Sequence, residues 1–124
     1  MINPTSQQMA AIYEMLRAFE PFNTWSLPPA RKVRFVTDPK SWERRKSPTF
    51  GTHWVNSGRH NIYIKPHKTL TGMIRTMAHE MIHAHEAVND VPSQHRNGDY
   101  VHGEAFQRIA NVVCATLGFR RKSF

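Results

Sequence analysis

The chain has 124 residues, eight of them histidine, and two histidines stand four positions apart with an acid beside the first: His79-Glu80-Met81-Ile82-His83. Four residues advance an α-helix by about 400°, so His79 and His83 share a face one turn apart. Imidazole nitrogens in that relation can meet one tetrahedral zinc ion. Glu80 falls at the edge of the same face. There its carboxylate can reach a reacting water rather than the metal, which is where a general base is needed.

Zinc catalysis takes three protein ligands and one open position. Four residues could complete the set. His102 lies 19 positions after His83, at the start of a predicted helix. Glu104 lies 21 positions after His83, close to the separation of the distal glutamate in thermolysin-like enzymes. His85 points about 200° around the helix from His83 and is a poor ligand. Glu86, three positions on, reads as a solvated acid. His102 and Glu104 are the serious choices, and a flexible loop ahead of His102 would let it swing toward the first helix. Within that loop His95, Arg96 and Tyr100 are candidates for polarising a scissile carbonyl.

The pattern around these residues predicts what positions them. Residues 5–19 form a helix capped by Thr5 or Ser6, with Met9, Ile12, Tyr13, Leu16 and Phe19 on its buried face. Residues 32–36 form a short strand, with Val33 and Phe35 on one side. Phe50 to Val55 is a second strand with Phe50, Thr52 and Trp54 on one side; Trp54 reads as core and His53 as a surface residue. Asn56-Ser57-Gly58-Arg59 is a hairpin turn, and residues 61–65 return, Ile62 and Ile64 alternating with Tyr63. A long helix capped by Thr69 or Thr71 runs to about Val88, with Leu70, Ile74, Met77, Met81, Ala84 and Val88 as its apolar stripe. A last helix spans about Gly103 to Leu117, buries Phe106, Ile109, Val113 and Leu117, and stops at Gly118. Cys114 on it reads as a small buried side chain. Helix, strand, hairpin, helix, helix is an α+β domain.

His79-Glu-Met-Ile-His-Ala84 followed by His102-Gly-Glu-Ala-Phe106 resembles the SprT-like zinc metalloprotease domain, the family of the Spartan-type DNA–protein crosslink proteases. The family pattern is H-E-M-I-H-A, a variable loop, then H-G-x-x-F, and the likeness extends over roughly residues 5–118. It implies a zincin-like fold: an N-terminal helix, a small three-stranded antiparallel sheet, and two further helices carrying the metal site. It implies Zn²⁺ held by His79, His83 and His102, with Glu104 outside the ligand set and Glu80 as general base. The loop 84–101 is a few residues longer than usual, and no C-terminal C-x-x-C zinc ribbon follows. Residues 1–124 would be one minimal catalytic domain, of the size found in bacteriophage or small bacterial proteins.

Composition bears on partners. Lys plus Arg number 17 against 9 for Asp plus Glu, a formal net charge of +8. A small domain this basic is drawn to polyanions, nucleic acid above all. Trp42 stands among Arg44, Arg45 and Lys46, an aromatic with cations that could stack on unpaired bases and follow phosphates. DNA is therefore an expected partner, single strands favoured, beside a protein substrate. A lone cysteine excludes an internal disulfide, no stretch is long and apolar enough for a transmembrane helix, and no signal peptide is visible. A monomer in the cytoplasm of a bacterium or phage-infected host is the expectation. The competing expectation is a nucleic-acid-binding or structural zinc module, such as a phage accessory protein, with little catalytic activity. An intact Glu80 speaks against it.

Overall fold

The computed structural model describes residues 1–39, 50–88 and 102–124. Helix α1 spans Ser6–Arg17. Its start is fixed by a reciprocal pair: the Gln8 N–H donates to Thr5 Oγ1 at 3.0 Å, and the Thr5 N–H donates to Gln8 Oε1 at 2.9 Å. That capping box satisfies two amides that have no partner inside the helix. Met9, Tyr13 and Leu16 are buried as the spacing predicts. Phe19 is not, because the helix ends two residues earlier and leaves the ring 51% exposed. The connector that follows is tied back onto α1. Tyr13 Oη donates to the Pro28 carbonyl at 2.6 Å, and the Ala30 N–H donates to Glu14 Oε2 at 2.6 Å.

Strands β1 (Arg34–Val36), β2 (Gly51–Asn56) and β3 (Arg59–Ile64) form a sheet in the order β1-β3-β2. β2 and β3 are an antiparallel hairpin. Its turn residues Ser57 and Gly58 have φ of 53° and 77°, the two positive values of a two-residue type I′ turn. β1 runs parallel to β3, so the sheet is mixed rather than antiparallel. The reason is connectivity. β1 is joined to β3 through the whole of β2, and a connection of that length frees its direction from the hairpin rule. Register puts Gly51, His53, Ile62 and Ile64 on one face and Thr52, Trp54, Asn61 and Tyr63 on the other. Trp54 is buried, as expected; Phe50, just ahead of the strand, is 61% exposed instead of sharing that burial.

Helix α2 (Leu70–Val88) is the centre of the molecule. Thr69 Oγ1 accepts the Gly72 N–H at 3.0 Å and caps it. The helix packs against α1, β2, β3 and α3, so burial is not confined to one stripe. Met73, Met77, Ala78, Met81, Ile82 and Ala84 are all in the core, whereas Leu70 and Val88 at its ends are exposed. Before it, Ile2 forms an isolated antiparallel bridge with His67.

Helix α3 (Glu104–Leu117) buries Phe106, Ala110, Val113 and Cys114. Gly118, at φ 80°, ends it, and its N–H donates to the Cys114 carbonyl at 2.9 Å. The chain then folds back through a 3₁₀ turn at Arg121–Ser123. No helix among the described residues is long and apolar enough to cross a membrane.

Candidate metal centre

α2 and the residue preceding α3 deliver three imidazoles to one point. His102 Nε2 lies 3.0 Å from His79 Nε2 and 3.2 Å from His83 Nε2. One ligand atom from each of the three histidines falls within 4.8 Å of the others. Metal–nitrogen bonds of about 2.0–2.1 Å in a tetrahedral arrangement put ligand nitrogens about 3.3–3.4 Å apart, so this triangle suits such an ion with little adjustment. Burial and the neighbouring imidazoles push His79 down to about 3, and His102 is lowered by the same causes. Neutral rings with available lone pairs are what a metal requires.

The outer nitrogens of His79 and His83 have polar neighbours as well. His79 Nδ1 is 2.7 Å from the Phe124 main-chain oxygen, and His83 Nδ1 is 3.3 Å from Glu86 Oε1. An Nδ1–H donated outward leaves Nε2 free to coordinate and fixes the ring plane. Phe106 lies beneath the cluster, its ring centroid 4.9, 4.7 and 4.7 Å from those of His79, His83 and His102.

The remaining candidates separate clearly. Glu104 points to solvent, its side chain 88% exposed and paired with Arg108 at 3.2 Å. His85 stacks on Trp25 with centroids 4.2 Å apart, away from the centre. Glu86 corrects the sequence expectation: it is 7% exposed, not solvated, because α2 is covered on that side too and the i,i+3 relation sets it against His83. His53 is half-buried rather than on the surface, its Nε2 2.7 Å from His60 Nδ1. Trp42, Arg44, Arg45 and Lys46 lie outside the described residues, as do His95, Arg96 and Tyr100.

Glu80 is 4% exposed and lines a cleft together with His79, Thr76 and Phe124. Burial pushes its carboxyl up to about 8. The cleft depends on two residues that spacing does not single out. At Gly51 a Cβ would stand 2.8 Å from the Tyr63 carbonyl, 2.9 Å from Thr76 Cγ2 and 3.3 Å from Glu80 Oε2, so only glycine lets β2 come this close to α2. His67 pins the other wall: it lies 2.6 Å through Nδ1 from the Lys65 carbonyl and 2.8 Å through Nε2 from Thr76 Oγ1.

Comparison with protein-family models, curated proteins and solved structures yields no match. The SprT-like resemblance therefore rests on the His79–Ala84 and His102–Phe106 segments.

Proposed function

We propose that this chain is a zinc-dependent endopeptidase of the SprT-like, zincin-like kind, acting on proteins bound or crosslinked to DNA. The observation that carries the reading is the convergence of the Nε2 atoms of His79, His83 and His102, with Glu80 buried in the wall of the cleft that His79 also lines. His79, His83 and His102 would hold Zn²⁺, which when bound polarises the scissile carbonyl and acidifies the attacking water. Glu80 takes the proton of that water and passes it to the departing amine. Burial of this carboxyl favours its protonated form, which suits the half of the task in which the proton is handed to the amine. The formal charge of +8 supports DNA as the surface on which substrates are met.

The decisive experiment is Glu80→Gln. The variant is expected to keep one zinc per chain and to lose peptide hydrolysis by about 10²–10⁴-fold. Undiminished hydrolysis of a DNA-bound protein by this variant overturns the mechanism.

A further inference from the structure

The segment after α3 does more than finish the chain. Arg121 is anchored to α3 at two points: its Nε donates to Asn111 Oδ1 at 2.7 Å, and its guanidinium also donates to Gln107 Oε1. Gln107 turns its amide the other way, donating from Nε2 to the His102 carbonyl at 3.0 Å. Three residues beyond Arg121, the Phe124 main-chain oxygen lies 2.7 Å from His79 Nδ1. The Phe124 ring stands 5.3 Å from His79 and stacks on Phe119 at 6.1 Å. One hydrogen-bonded path thus runs from the backbone of His102 through Gln107 and Arg121 to the ring of His79.

We propose that residues 120–124 are a positioning strap for the metal centre: Arg121 clamps the strap to α3, and the Phe124 main-chain oxygen fixes the tautomer and plane of His79. The proposal rests on the reading of His79, His83 and His102 as metal ligands. A main-chain oxygen that can only accept, set at Nδ1, selects the Nδ1–H tautomer, which turns the Nε2 lone pair toward His83 and His102. Without the clamp, the strap can leave, and His79 samples both tautomers and other ring orientations. Part of the binding free energy of the metal is then spent on restoring the productive one. Gln107 makes the arrangement two-sided, because the side chain that receives Arg121 also holds the main chain at His102.

The test is Arg121→Ala in the full chain, read in two ways. In metal-free protein, nitrogen-detected NMR of the His79 ring is expected to show the Nδ1–H tautomer in the wild type and a tautomer mixture in the variant. In titrations with Zn²⁺ against a competing chelator, the variant is expected to bind about 10–100-fold more weakly, the usual effect of losing a partner behind a ligand. Asn111→Ala, which leaves the Gln107 contact, is expected to shift both readouts in the same direction by less, and it replaces Arg121→Ala if that variant does not fold. An unchanged His79 tautomer overturns the proposal whatever happens to affinity. A wild type that binds no zinc overturns the metal reading instead, and the tautomer measurement still decides the strap.

Discussion

His79 and His83 each divide their labour between two nitrogens, so losing the inward one and losing the partner of the outward one differ in consequence. His102→Ala removes a ligand and is expected to strip zinc under dialysis, whereas Glu104→Ala, an exposed acid paired with Arg108, is expected to keep it. Metal analysis of the two variants decides the third ligand, and the reverse pattern overturns it. Glu80 and the histidines also set a pH profile for the metal-free protein. Glu80 is pushed up to about 8 by burial, against about 4.3 unfolded. The native state therefore holds the proton more tightly, and stability drains away as pH rises through that window. His53 and His79 are each pushed down to about 3, against about 6.5 unfolded. Their contributions drain away in the opposite sense, as pH falls from about 6.5 toward 3. Melting temperature with chelator present is expected to peak near pH 6.5, and Glu80→Gln to remove the fall between there and pH 8. The H-E-x-x-H spacing exposes His79, Glu80 and His83 in the sequence because helix geometry is local. The Phe124 main-chain oxygen is invisible there: it arrives from 45 residues away, and no side-chain type announces it.

Among the elements, α1 starts on a side-chain cap and α2 is stabilised by burial, and their sensitivities should differ accordingly. Thr5→Ala breaks the capping box and is expected to cost about 0.5–2 kcal/mol. Met77→Ala opens a hole at a position with 0% exposure and is expected to cost about 2–5 kcal/mol. Denaturant midpoints measure both; zinc affinity should fall with Met77→Ala alone, since α2 carries two ligands. Helices α1, α2 and α3 and the hairpin are legible in the sequence, because Thr5, Thr69, Gly58 and Gly118 each suit a local conformation, whereas the short 3₁₀ turns at Phe22–Thr24, Ala30–Lys32 and Arg121–Ser123 carry no such signal. The direction of β1 is not legible. Three residues, Arg34 to Val36, carry no signal separating parallel from antiparallel pairing, and the long path through β2 permits either. The nearly all-round burial of α2 is equally hidden, since a single periodic stripe describes a helix with one covered face, and this one has neighbours on several sides.

For the molecule as a whole, the charge excess is the property with the longest reach. Binding to single-stranded DNA is expected to weaken with salt at a log–log slope of about −0.7 per phosphate neutralised. Replacing Arg44, Arg45 and Lys46 by alanine should flatten that slope, and Trp42→Ala should cost about 1–3 kcal/mol if its ring stacks on a base. Affinity measured over a salt series, with melting temperature alongside, tests this, and salt-insensitive binding overturns the DNA part of the proposal. A plainer feature has a practical consequence. Ile2 is bridged to His67, and His67 and Phe124 line the same cleft. Chain added before Ile2 leaves the fold against His67 in the wall of this cleft, and chain added after Phe124 leaves it from the lining that Phe124 shares with Glu80. Purification handles and fused reporters are then not bystanders in an assay of this protein: a polyhistidine tag at either position would be a rival chelator within reach of the centre whose metal is being counted.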